Sequence, residues 1–316
     1  MKSKLSRTKF ASAIPGVGEL FCRVACFAAA ILICSSAAAQ NLFVSGRDTQ
    51  GGEIYKFTWD GQQSIFASGL YKPWDMAFDS TGNLFVVDYM ILNSDRVGNA
   101  AVFKITPSGP LTIVASRLSY ASSLAVNRAG ILFVADYDSG IIYKYKPDGS
   151  RATFATGLYH PVGLAFDSAG NLVVVDNSAG NIYQGGIYKY KPDGSRVTLA
   201  ALVQGDRPAD LAFDNMGNLF MGDLGGNIYK YYLSGVPRRY PRTTFGSVPT
   251  SAQSLAFDSA GNLLVVDAGG ATVDGPATGN TIYKFTYQGT RSTFASGLAL
   301  GESFACVAFR PPAVTQ

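Results

Sequence analysis

The sequence predicts an all-β protein built as a ring of six blades, each of four antiparallel strands, and three observations carry that prediction. A segment of about 46 residues recurs along the chain. Its clearest part reads Leu164-Ala165-Phe166-Asp167-Ser168-Ala169-Gly170-Asn171-Leu172-Val173-Val174-Val175-Asp176 and returns at Met76 to Asp88, Leu124 to Asp136, Leu211 to Asp223 and Leu255 to Asp267. The composition agrees: 35 glycines, 12% aromatic and only 15% charged residues suit short strands joined by tight turns, not helices built on Ala, Glu, Lys and Leu. Finally, the apolar runs lack strict alternation, so each sheet is expected to be covered on both faces.

Each unit supplies its strands in a fixed order. Strand one is the Leu-Ala-Phe segment, and Asp-Ser-x-Gly-Asn closes a turn in which glycine takes positive φ. Strand two is Leu-x-Val-Val-Asp. After a variable loop, strand three is Ile-Tyr-Lys-aromatic, seen at Ile54, Ile142, Ile187, Ile228 and Ile282. Turns such as Pro147-Asp148-Gly149-Ser150 then lead into strand four, for example Thr153-Phe154-Ala155-Thr156. Five units are continuous. The sixth is split, with strand one near Val307 and strands two to four following Asn41, so pairing of the chain ends closes the ring and removes an exposed edge. Four-stranded units buried on both faces are the blades of a β-propeller, here spanning residues 40 to 316.

Residues 1 to 39 read as a signal peptide. Lys2, Lys4, Arg7, Lys9 and Arg23 precede the apolar run Val24 to Cys34, and Ala37-Ala38-Ala39 offers a cleavage site, so export to the periplasm or the exterior is expected, with a retained signal anchor as the alternative. Three cysteines lie in this leader and only Cys306 follows it, so a propeller without an intrachain disulfide, resting on its core, is expected. Cys306 sits in an apolar run and reads as a packed thiol. The leader also carries five basic residues against one acidic, Glu19, which is the whole formal charge of +4. The remainder is neutral, which removes the charge-based case for nucleic acid or anionic membrane as a partner.

The motif Leu-Ala-Phe-Asp-Ser-x-Gly-Asn-Leu-x-Val-x-Asp followed by Ile-Tyr-Lys-Phe resembles the NHL repeat and, more broadly, the six-bladed senescence-marker-protein/gluconolactonase superfamily, over essentially residues 41 to 310. The resemblance implies either a propeller that binds partners or a metal-dependent lactone hydrolase or lyase. In the lactonases it implies a metal held by a Glu, two Asn and an Asp at the starts of inner strands. The corresponding positions here are Trp74, Ser122, Val162, Ala209, Gln253 and Ala305, none a carboxylate. Asp75 and Asp210 lie one residue on, which in a regular strand means the opposite face. A single histidine excludes a multi-histidine zinc site.

Antiparallel blades put the loops before strand one and between strands two and three on one face. The long connections Tyr89 to Ala101, Asn177 to Gly186 and Ala268 to Asn280 mark that face as the place for a ligand. Candidate binding residues are accordingly Tyr71, Lys72, Trp74, Asp75, Tyr89, Ser122, Tyr137, Tyr159, His160, Arg207, Asp210, Gln253 and Glu302. Repetition separates scaffold from site. Asp88, Asp136, Asp176, Asp223 and Asp267 recur in every continuous blade and are expected to accept backbone N–H bonds. Asp75 and Asp210 break the repeat in opposed blades, which would let them face each other across the channel mouth, but local loop capping is the favoured account of them. His160 is expected to be a solvent-exposed loop residue. The leading reading is a monomeric binding module for a carbohydrate, peptide or protein, with no cofactor. The alternative is a gluconolactonase-like hydrolase or lyase with a degenerate metal site, taking a divalent cation such as calcium near Asp75, Asp210 and Glu302.

Overall fold

A computed structural model describes residues 40–48, 51–58, 62–89, 100–107, 110–177, 185–232, 242–268, 280–298 and 306–310, all within the unit Gln40–Gln316. Six sheets of four antiparallel strands make a six-bladed propeller, and no helix occurs among the described residues. Blade one comprises Pro73–Phe78, Leu84–Tyr89, Ala100–Ile105 and Leu111–Leu118. Blades two to five repeat this order from Ala121–Val126, Pro161–Phe166, Pro208–Phe213 and Ala252–Phe257 as their first strands. The sixth blade joins Val307–Phe309 to Leu42–Asp48, Gly51–Phe57 and Gln63–Leu70, so the chain ends pair as the split repeat requires.

First strands pack on one another around the ring, including Val307–Phe309 against Pro73–Phe78, and so line the axis. The second strand of each blade is buried on both faces: Leu84 to Asp88, Leu132 to Asp136, Leu172 to Asp176, Leu219 to Asp223 and Leu263 to Asp267 are buried throughout. Apolar side chains from adjacent sheets fill each seam. Between blades one and two, Phe85, Val87 and Val102 meet Leu124, Val134 and Tyr145. Phe220 of blade four is set edge-on against Phe245 and Phe257, at 5.0 and 4.9 Å between ring centres. Such seams suit Val, Leu and Phe, whose burial is worth about 1.5–3 kcal/mol each.

The seam between blades four and five explains one departure from the repeat. Gly222 stands where the other continuous blades carry Val87, Ala135, Val175 and Val266, and a methyl group there would run into the Ala252 carbonyl oxygen. Gly222→Ala should therefore lower the thermal midpoint by several degrees, a loss of roughly 1–3 kcal/mol from overpacking. An unchanged midpoint would show that the second strand of blade four and the first strand of blade five are not held this close.

The recurring turns are built as expected. Asp79 accepts hydrogen bonds from the Thr81 and Asn83 backbone N–H groups and both side chains, while Gly82 supplies φ of 84°. Asp167, Asp214 and Asp258 repeat this clamp with Asn171, Asn218 and Asn262. These bonds favour the ionised form and hold Asp79 and Asp167 below the usual carboxylate range against the opposing effect of partial burial, the largest single influence on each.

Candidate functional site

The aspartates that end the second strands of the five continuous blades accept hydrogen bonds from backbone N–H groups. Asp88 accepts from the Tyr71 and Lys72 N–H groups, Asp136 from Ser119 and Tyr120, Asp176 from Tyr159 and His160, and Asp267 from Thr250 and Ser251. Asp223 takes Arg207 N–H and Gly225 N–H. Each fixes the loop that enters the first strand of its own blade, and so positions the rim residues.

The first strands themselves are bulged. Register shifts between Pro73 and Asp75, Ala121 and Ser123, Pro161 and Gly163, Pro208 and Asp210, and Ala252 and Ser254 place two residues opposite one. A bulge turns consecutive side chains toward the same side. Trp74 and Asp75, Ser122 and Ser123, Ala209 and Asp210, and Gln253 and Ser254 therefore line one cavity together. The expectation that Asp75 and Asp210 point away from the positions of Trp74 and Ala209 is corrected by this bulge, which a regular-strand argument does not contain.

Asp75 and Asp210 are not local loop caps either. Asp75 accepts from its neighbour Met76 N–H at 2.8 Å and, across the seam, from Leu124 N–H of blade two at 2.7 Å. Asp210 accepts from Leu211 N–H at 2.7 Å and from Leu255 N–H of blade five at 2.8 Å, with the Ser254 hydroxyl at 3.1 Å. Ser123 and Ser254 make the same bridge with their hydroxyls, to Leu164 N–H and Val307 N–H. In four of the six inner strands this position thus ties its blade to the next, while blade three carries Gly163 there, which has no side chain to do so.

Burial pushes the Asp75 carboxyl up to about 6, against the hydrogen bonds that favour its charge. Asp210 is pushed up to about 7 by burial and then by the charge of Asp75. Burial and both these carboxylates raise the buried Cys306 thiol well above its ordinary value, so it is a packed, protonated group.

Above this floor lies an axial cavity of about 420 Å³. One side is aromatic. Trp74 meets Tyr89 and Tyr120 at 5.4 and 5.8 Å between ring centres, Tyr89 meets Tyr120 at 5.0 Å, and Tyr120 meets Tyr137 at 5.4 Å. Tyr137 stacks on His160 at 4.2 Å and 21°, and His160 meets Tyr159 edge-on at 4.7 Å. This corrects the expectation of an exposed His160: its ring is half-buried, and its Nδ1 is buried without a hydrogen-bond partner. The opposite wall, from blades four and five, carries Pro208, Ala209, Leu224 and Gln253.

Among the sequence candidates, Trp74, Asp75, Ser122, Tyr137, Asp210 and Gln253 line the cavity. Tyr89, Tyr159 and His160 stand behind or beside the aromatic wall, and Lys72 lies over the Trp74 ring at 5.5 Å. Tyr71 and Arg207 are exposed on the rim. Glu302 and most of the three long connections lie outside the described residues. Tyr120, Ser123, Asn177, Ser254 and Cys306 also line the cavity. Three of these, Ser123, Ser254 and Cys306, occupy the same repeat position as Asp75 and Asp210, so lining up all six inner strands is the signal that finds them.

A lactonase-type metal would have to be held by this donor set. Trp74, Val162 and Ala209 offer no oxygen side chain, Asp75 and Asp210 are engaged by backbone N–H groups, and no group of three or more His, Cys, Asp or Glu residues converges among the described residues. These residues do not fit the divalent cation that the resemblance implies.

A family model described as strictosidine synthase-like, N-terminal, matches residues 195–231, less than one full repeat. No curated protein matches the chain. Solved structures match over most of its length. A chain of a nidogen/laminin complex is 18% identical, with a TM-score of 0.67 over 86% of this chain and 98% of that one. A gluconolactonase from Xanthomonas campestris is 16% identical, with a TM-score of 0.58 over 75% of this chain and 80% of that one. Virginiamycin B lyase from Staphylococcus aureus is 13% identical, with a TM-score of 0.52 over 75% of this chain and 73% of that one. The chain has the six-bladed fold that binding propellers and gluconolactonase-like propellers share.

Proposed function

We propose that this is an exported, monomeric binding propeller that holds a ring-bearing polar group, presented by a carbohydrate or peptide, in its axial cavity. One observation carries the reading: the unbroken aromatic wall Trp74–Tyr120–Tyr137 beside a polar floor. An aromatic face receives a sugar or side-chain ring through apolar contact, and Ser122, Gln253 and the floor carboxyls are placed for its hydroxyl or amide groups. A cavity of about 420 Å³ suits a group of one or two rings. The nidogen/laminin likeness supports a binding role for the fold, and the gluconolactonase likeness supports the enzyme reading. The donor set favours the former, because no cation site is assembled from the described residues.

The test is a glycan and peptide screen followed by titration of the best hit. Trp74→Ala is expected to weaken binding at least about tenfold, as truncating a central aromatic anchor does. Exposed Tyr287→Ala serves as control and should bind normally. Equal affinity of the Trp74 variant and wild type would sink the axial site. Lactone turnover that rises with added calcium would favour the hydrolase instead.

A further inference from the structure

The opposite, turn-bearing face has a second cleft, between blades one and two, of about 760 Å³. Two adjacent positions in a turn at its edge depart from the repeat. At the turn of blade two, Asn127 replaces the aspartate of Asp79, Asp167, Asp214 and Asp258, and Arg128 replaces the serine of Ser80, Ser168 and Ser259. A position that is anionic elsewhere has become neutral, and the next has become cationic. Lys146 from the following hairpin and Lys104 from blade one face the same cleft.

In blades three and four the lysine equivalent to Lys104 is paired with its turn aspartate, Lys189 with Asp167 at 3.1 Å and Lys230 with Asp214 at 3.9 Å. Lys104 lies over the Phe85 ring, 5.7 Å from its centre, as Lys230 lies over Phe220 at 5.2 Å. Two carboxylates also line the cleft, and both are engaged: Asp79 by Thr81 and Asn83, Asp148 by Ser150 N–H.

Two further features give the cleft its chemistry. Tyr145, which lines it, has a buried phenol oxygen without a hydrogen-bond partner. A donor in that state favours an acceptor brought in by a ligand. Ile113 presents an apolar wall, 55% exposed, where blades two to five carry Thr153, Thr198, Thr244 and Thr293. Val114 and Leu132 extend that wall.

From this juxtaposition we infer that the cleft between blades one and two is a binding site for an amphipathic organic anion, a phosphate, sulfate or carboxylate carried on an apolar body. Lys104, Arg128 and Lys146 neutralise the anionic head, the Tyr145 phenol donates to it, and Ile113 covers the apolar part. The site is separate from the axial cavity and does not rest on the binding role proposed there.

Isothermal titration of the full chain with phenyl phosphate, inorganic phosphate and benzyl alcohol tests the inference. Phenyl phosphate is expected to bind about tenfold or more tighter than either fragment. Arg128→Ser and Lys146→Thr adopt residue types of other blades at exposed positions, so they should leave thermal unfolding unchanged while each weakens phenyl phosphate about tenfold. Tyr145→Phe copies Phe57 and Phe285 and should weaken the anion without destabilising the fold. Phenyl phosphate binding no better than inorganic phosphate, or binding unaltered by all three substitutions, would overturn the proposal. Trp74→Ala should leave this titration unchanged, which separates the two sites.

Discussion

Val307→Asp is expected to open the ring and lower the thermal midpoint by roughly 10 °C or more. Val307 is 4% exposed and packs with Leu42, Val44, Leu264 and Val266, at the seam where the last strand joins blade six to blade five. Its N–H donates to the Ser254 hydroxyl of blade five, and the neighbouring Cys306 exchanges backbone hydrogen bonds with Ser45, through its carbonyl at 3.0 Å and through the Ser45 hydroxyl at 2.8 Å. An unpaired carboxylate in that seam costs about 3–5 kcal/mol, and it cannot be relieved without lifting the strand away. Lifting it leaves Leu42–Asp48 as an open edge, so aggregation on heating should accompany the loss. Thr293→Asp, on an exposed outer strand, is the control and should melt as wild type does. A Val307 variant melting within about 2 °C of wild type would show that ring closure does not hold the fold.

The second large effect is a dependence on pH carried by the axial carboxyls. Asp75 and Asp210 titrate near 6 and 7 in the folded protein against 3.8 ordinarily, so the folded state binds their protons more tightly than the unfolded state does. Their stabilising contribution is complete below about pH 3.8 and is lost as pH rises through 6 and 7, on the order of a few kcal/mol in all. The turn aspartates Asp79 and Asp167 act in the other direction, losing their contribution as pH falls below the ordinary carboxylate range. Stability should therefore peak at about pH 4 to 5 and decline toward pH 8. Asp210→Ser copies Ser123 and Ser254, whose hydroxyls accept the equivalent backbone N–H, and so removes the charge while keeping the bridge. That variant should lose the upper part of the decline and gain stability at pH 8, as chemical denaturation across pH reads directly. A wild-type profile that rises from pH 5 to 8 would contradict the assignment.

The fold was legible because the repeat states it five times, and a sixth repeat split between strand one near Val307 and strands two to four after Asn41 has one way to close. Turn aspartates were legible for the same reason: a carboxylate present in every blade serves geometry that every blade needs. The cavity was only half legible. Asp75 and Asp210 stood out as departures from the repeat, but period-two reasoning assigned them to the wrong side, because the bulge that turns them inward adds a residue without leaving a compositional mark. His160 read as an exposed loop residue because its burial comes from Tyr137 of the preceding blade, a contact between distant parts of the chain. The cleft between blades one and two stayed hidden until Arg128, Lys146 and Ile113, unremarkable singly, were brought to one place.

The central claim is that ligands enter the axial cavity against the aromatic wall. It is tested most directly by a crystal structure with the best hit of the glycan and peptide screen. The account predicts a ring of that ligand seated on Trp74 and Tyr120, with a polar group toward Asp75 or Asp210. Occupancy of the outer circumference or of the turn face, with the axial cavity empty, would contradict it.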